Sequence, residues 1–250
     1  MRALFNIWLF ALLISLGVRG MAAQATVAVA ANFLPTAKAL VAALEQQSGH
    51  RYRLAGGSTG SLDAQIRNGA PFDIFLAADS ETPARLERDG WGIPGTRFTY
   101  ASGQLVLWSA DSTLIDSRGE VLRTQRFQKL ALANPKIAPY GAAAMATLTQ
   151  LGLASALGPR LVQGESVGQT LSFVASGNAQ IGFVALAQVM QEGRLRAGSM
   201  WLVPSQLYPP IRQDAIVLRQ GGDNPAAQAL IAALKSDAGR QLMKAHGYIP

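Results

Sequence analysis

From residue 26 onward, short apolar runs alternate with stretches of helical spacing. The run TVAVAA at 26–31 predicts a buried strand. Behind it Ala37, Leu40, Val41 and Leu44 fall at i, i+3, i+4 and i+7 before Gly49, the pattern of an amphipathic helix and its stop. A second unit follows, with a strand at 52–55, the turn Gly56-Gly57-Ser58-Thr59-Gly60 and a short helix over 61–68. FDIFLA at 72–77 predicts a third strand. Further strands are expected at 105–108, 130–133, 181–185, 201–203 and 215–218, with helices over 142–151, 168–176, 185–192 and 225–246. Alternation at these lengths predicts an α/β protein whose sheets are mostly parallel and covered on both faces. The stretches near 103–108 and 213–219 read as edge or crossing strands around a central block with its own strand–helix alternation. An N-terminal block closed by the C-terminal helix, with the central block as a second lobe, fits this order.

Composition narrows the class. The 250 residues are 49% hydrophobic and 15% charged, which supplies a core and excludes disorder and collagen-like structure. With no Cys, disulfides, thiol nucleophiles and cysteine-bound metals are excluded, and the two His, His50 and His246, leave little for a histidine metal cage. Arg2, the apolar stretch over 4–18 and Ala23-Gln24-Ala25 form a secretory signal peptide over 1–25, removed before Thr26. As a membrane anchor that stretch falls short of the about twenty residues a span requires. The remainder carries 20 basic and 15 acidic residues, a net charge of +5. Its cations are scattered without interleaved aromatics, so the surplus reads as a solvated basic surface and no nucleic-acid partner is expected.

In open α/β sheets ligands sit beyond the carboxyl ends of strands, at helix N-termini. Four such corners stand out: Asn32 ahead of Pro35, the Gly57-Ser58-Thr59-Gly60 turn, Pro139-Tyr140-Gly141 and Ser166-Val167-Gly168. Each can aim backbone N–H groups along a helix dipole, so together they favour a small anion with no formal positive charge. Taken singly, each corner reads more readily as a cap, a plain loop or a packing residue than as a ligand contact. The second turn is not a phosphate-binding P-loop, because no Lys follows Gly60.

A secreted serine hydrolase using Ser58 with His50 or His246 is the competing chemistry, although both histidines stand beside Gly at apparent helix ends, where a cation serves the dipole. Asp73 and Asp79 flank one strand as a carboxylate pair, but Asp79 reads as a turn or cap residue.

Several segments carry a family resemblance: TVAVAANF at 26, GGSTGSLDAQI at 56, NGAPFDIFLAAD at 68, APYG at 138, ESVGQTL at 165, IGFVAL at 181 and KAHGYI at 244. In this order and spacing, residues 26–250 resemble the periplasmic molybdate-binding proteins, solute receptors of molybdate ABC transporters. The resemblance implies a type II periplasmic-binding-protein fold: two α/β lobes, 26–105 with 214–250 and 106–213, joined by two crossing strands and closing on one tetrahedral oxyanion. It implies molybdate or tungstate as ligand, held by neutral donors with no direct protein–metal bond. Other implications are no cofactor, no catalysis, a membrane permease as partner, a periplasmic location and a monomer. Carried over by position, Asn32 gives a side-chain and a backbone donor, Thr59 a hydroxyl and an N–H with Ser58 beside it, and Tyr140 and Val167 backbone N–H groups. Two departures stand out. Ala31 replaces the Ser or Thr of many relatives, and Ala185 replaces a Tyr donor for which Asn32 is expected to compensate. A related receptor for sulfate, phosphate or another small anion is the nearest alternative.

Overall fold

Residues 22–250, apart from Gln125 and Glu192, are described by a computed structural model, and they form two five-stranded sheets flanked by helices. The chain begins with β1 (Gln24–Ala30), α1 (Leu34–Ser48), β2 (Arg51–Gly57), α2 (Thr59–Arg67), β3 (Ile74–Leu76), α3 (Glu81–Arg88) and β4 (Phe98–Gly103). It crosses at Gln104 into β5 (Leu105–Ser109), β6 (Leu130–Ala133), α4 (Pro139–Gln150), α5 (Ala154–Leu157), β7 (Leu161–Gly164) and α6 (Val167–Ala175). There follow β8 (Ile181–Ala185), α7 (Leu186–Val189), the small hairpin of β9 (Met190–Gln191) and β10 (Arg194–Leu195), and β11 (Ser199–Leu202). The return leads into β12 (Ile211–Val217), α8 (Pro225–Lys235) and α9 (Asp237–Ala245).

The first sheet runs β2-β1-β3-β12-β4 and the second β7-β6-β8-β5-β11. In each, four strands share one direction, and the strand next to one edge opposes them. The opposing strands, β12 and β5, are those by which the chain crosses between sheets. The two halves therefore repeat one arrangement, a pair of lobes joined by two crossings, as expected. β1, β5, β6 and β8 are buried almost throughout, because helices cover both faces and leave no solvent side to demand alternation. Ala30 and Ala78 of the first lobe belong to the core cluster of the second, so the lobes are in apolar contact at their facing rims.

Several elements differ from expectation. β1 begins at Gln24, where the Ala23 carbonyl accepts from Arg51 N, the Gln24 carbonyl accepts from Asn224 Nδ2, and Ala25 is fully buried. It thus takes in residues assigned to the leader, whose residues 1–21 lie outside those described. The helix expected over 185–192 stops after Val189, since Gly193 at φ 75° turns the chain into a hairpin. The helix expected over 225–246 is two: Ser236 leaves helical geometry and caps α9, its Oγ accepting from Gly239 N at 3.0 Å. β12 starts at Ile211, so the return crossing comes before residue 214. α3 is amphipathic through its charged residues but holds one large apolar residue, Leu86, and β4 has no regular alternation; neither was expected.

One ion pair holds the crossing region. Asp214 on β12 is 1% exposed, and its carboxylate accepts from Arg97 at 2.8 Å and from the Thr99 hydroxyl at 2.7 Å. Arg97→Ala leaves a buried carboxylate with one donor, an expected loss of about 2–4 kcal/mol. In urea unfolding the midpoint should fall at unchanged slope; an unmoved midpoint would show that water replaces the guanidinium at no cost.

Candidate functional site

The carboxyl ends of the parallel strands in both lobes face each other, and four of them lead directly into helices. β1 runs through Ala31-Asn32-Phe33 into α1, β2 through Ser58 into α2, the β6 loop into α4, and β7 through Ser166 into α6. Helical geometry leaves the first N–H groups of each helix without intrahelical acceptors. Ser58 and Ser166 each satisfy one of these by capping, their hydroxyls accepting from Ser61 N and Gln169 N, both at 3.3 Å. Pro139 has no N–H to give, so Tyr140 presents the first donor of α4, and Gly141 N turns back to the Ala138 carbonyl. Among the described residues, the backbone N–H groups of Asn32, Thr59, Tyr140 and Val167 have no internal partner.

All four, with Ser58, line one small cavity between the lobes. Its free volume, about 10 Å³ for the centre of a water-sized sphere, is about what one water molecule needs, so the space is far too small for a sugar or an amino acid. Asn32, Ser58, Thr59, Tyr140 and Val167 are all buried, and no charged side chain lines the space. Each helix N-terminus carries about half a positive charge, so four sum to about +2, the complement of a dianion. Thr59 Oγ1 accepts from Ala78 N at 3.0 Å, which leaves the hydroxyl hydrogen to point elsewhere. The lobes meet at the rim of the cavity, where Gly60 N donates to the Ile137 carbonyl at 2.9 Å and a Cβ on Gly168 would stand 3.3 Å from the Ala31 methyl. Ala31 and Gly168 are small because the lobes touch there.

Asn32 differs from expectation. Its Nδ2 donates to Gln213 Oε1 at 2.9 Å and to the Tyr248 hydroxyl at 3.1 Å, which occupies both amide hydrogens. The Tyr248 hydroxyl in turn donates to the Asn32 carbonyl at 2.9 Å. The Asn32 side chain therefore braces the corner from behind and leaves its backbone N–H as the donor facing the cavity. Ala185 contributes nothing to the cavity, its N–H donating to Gln188 Oε1 at 3.1 Å.

Behind the cavity lies a buried polar network that the sequence did not reveal. The Tyr100 hydroxyl stands 2.9 Å from both the Ala77 carbonyl and Gln213 Oε1, which share its one hydrogen, and Gln213 Nε2 donates to the Tyr140 hydroxyl at 3.3 Å. Burial pushes the phenols of Tyr100, Tyr140 and Tyr248 well above their ordinary pKa, so all three remain neutral dipoles. Phe33 packs against Tyr100 and Tyr248 at ring-centre distances of 4.7 and 5.3 Å. Little in the sequence marks it: Gln213 and Asp214 follow Arg212 in β12, so the three polar positions read as one exposed run, although only Arg212 is exposed.

The hydrolase constellation does not assemble. His50 Nδ1 accepts from Ala23 N at 3.2 Å, His246 Nδ1 sits 2.9 Å from the Leu242 carbonyl, and the Ser58 hydroxyl partners Ser61. Asp73 accepts from Thr26 N at 2.6 Å and Asp79 from Thr82 N at 2.9 Å, so both carboxylates fix backbone. Burial raises the Asp79 pKa, against the pull of the two Thr82 donors. Among the described residues no cluster of three His, Asp or Glu could hold a metal ion. Beside the cavity a wider cleft of about 490 Å³ carries Arg85, Lys136 and Arg212 with Asp79 and Glu81.

Known proteins share this architecture. The "Molybdate-binding protein ModA" of Azotobacter vinelandii is 52% identical over 91% of this chain and 90% of its own length. The protein of the same name from Rhodobacter capsulatus is 43% identical over 96% and 93%. The solved structure of an Azotobacter vinelandii periplasmic molybdate-binding protein superposes with a TM-score of 0.88 at 41% identity, covering 90% of this chain and 99% of that one. The match to the family described as bacterial extracellular solute-binding proteins extends over residues 25–249, and the chain belongs to that family.

Proposed function

We infer that this protein captures molybdate, with tungstate as an equivalent ligand, and delivers it to the membrane permease of an ABC transporter. The observation that carries this is the cavity itself, lined without charge, where four helix N-termini from two lobes converge, in a chain 52% identical to a molybdate-binding protein. A hydrogen bond to a charged oxygen contributes about 1.5–3 kcal/mol, so about six of them support sub-micromolar binding after ordering costs. The donors are the N–H groups of Asn32, Thr59, Tyr140 and Val167 and the Thr59 hydroxyl, with the Ser58 hydroxyl as a sixth once its hydrogen turns from Ser61 Oγ to the anion. The N–H donors cannot accept a hydrogen bond and no carboxylate lines the cavity, so an anion that keeps a proton near neutrality, such as hydrogen phosphate, finds for its O–H only the Ser58 and Thr59 hydroxyl oxygens, which already accept from Ser61 N and Ala78 N. Sulfate carries the right charge but is smaller, and stretched bonds weaken it.

The protein works as a monomeric receptor with no catalytic step, since its only chemistry is the closing of the lobes. It acts in the periplasm after removal of the leader, and the burial of Ala25 with the pairing of Gln24 supports a cut ahead of Gln24. Closure signals occupancy to the permease, because only the closed form presents both lobes in one fixed relation.

Molybdate at a hundred times its Kd should add about 2.7 kcal/mol and raise the Tm by roughly 5–10 °C, while phosphate leaves it unmoved. A larger shift with sulfate or phosphate in a competition series would reassign the ligand. Thr59→Val removes one hydroxyl donor and the acceptor that fixes Ala78, and should weaken molybdate binding about ten- to a hundredfold by calorimetric titration. Unchanged affinity would remove Thr59 from the donor set.

A further inference from the structure

Gln213 lies on β12, the strand by which the chain returns to the first lobe, and it is fully buried. The pairing of β12 with β4 slips at this point: Gln213 faces Ala101 while Asp214 faces Thr99, which leaves Tyr100 as the extra residue of a bulge. The slip lets two consecutive polar side chains point inward. Asp214 turns to Arg97 and Thr99, and Gln213 turns to the back of the cavity.

There its carboxamide oxygen accepts from Asn32 Nδ2 and from the Tyr100 hydroxyl, both at 2.9 Å, and its Nε2 donates to the Tyr140 hydroxyl at 3.3 Å. Asn32 bears a cavity-facing N–H of the first lobe and Tyr140 one of the second. Among the described residues Gln213 is the side chain hydrogen-bonded to both. The other crossing closes on the same contact, for a Cβ on Gly103 would lie 2.6 Å from Gln213 Nε2 and overlap the Tyr140 hydroxyl. Both crossings thus press on one point, and a buried amide fills it with three of its four hydrogen-bonding positions used.

We propose that Gln213 is a positioning residue for anion capture: it holds the first-lobe and second-lobe donors in register when the lobes close, and so sets how long the closed state retains the anion. The proposal rests on the reading of the protein as a molybdate receptor. A residue that merely supported the fold would change the Tm of the free protein and leave the release rate alone.

The test compares wild type, Gln213→Met, Tyr140→Phe and the double variant, using molybdate with calorimetric titration and stopped-flow tryptophan fluorescence. Tyr140→Phe keeps the backbone N–H and removes only the hydroxyl that Gln213 reaches. Each single variant should raise the molybdate Kd about tenfold, through faster release at an association rate unchanged within about twofold. The double variant should bind no worse than the weaker single, because both substitutions cut the same contact. Folded variants that release molybdate at the wild-type rate, or losses that add in the double variant, would overturn the proposal. If Gln213→Met does not fold, the release rate of Tyr140→Phe decides alone. Failure of the wild type to bind molybdate would strike the functional reading instead.

Discussion

The proposed function sets one electrostatic constraint: a doubly charged anion buried away from water has to be matched, and the lobe-to-lobe cavity offers no cation to match it. The lining of the cavity contains no Lys, Arg or His. What replaces them is geometry, with the N-termini of α1, α2, α4 and α6 brought to one point from two sheets. A single lobe supplies two of these ends. Two lobes of the same strand order, facing each other carboxyl end to carboxyl end, supply four, so the duplicated topology provides what the proposed site would need.

Closing two rigid bodies on so small a target leaves little tolerance at the rim. Ala31 against Gly168 and Gly60 N against the Ile137 carbonyl show backbone meeting backbone with almost no side chain between. Behind them the phenols of Tyr100, Tyr140 and Tyr248 and the amides of Asn32 and Gln213 bond to one another rather than to water, and such a network fixes relative positions more strictly than apolar packing does. Neutral groups suit this place, since a charge here would act on the anion directly. The cations of the wide cleft, Lys136 and Arg212, stand outside the cavity, where they can attract an anion without holding it.

Much of this was legible in the sequence, because the four corners follow strands with strong apolar runs and carry Pro, Gly or Ser at helix starts. Asn32, Ser58, Thr59, Tyr140 and Val167 are candidates from those local signals together with the family resemblance, and the fold brings all five to one cavity. The role of the Asn32 side chain was misjudged, since its partners Gln213 and Tyr248 lie 181 and 216 positions away and no local pattern encodes that contact. The single C-terminal helix failed for a nearer reason: apolar spacing runs on through Ser236, while the local cap that divides α8 from α9 depends on one hydroxyl and a glycine. α3 and β4 escaped notice because α3 marks its buried face with one large apolar residue, Leu86, among charges, and β4 has no regular alternation.

The central claim is that neutral donors from both lobes suffice to hold the dianion. A crystal structure of the molybdate complex tests it most directly. The account predicts the four oxygens in the small cavity, at about 2.7–3.0 Å from the N–H groups of Asn32, Thr59, Tyr140 and Val167, with no Lys or Arg in contact. Molybdate found instead in the wide cleft against Lys136 and Arg212, with the cavity donors turned to solvent, would contradict it.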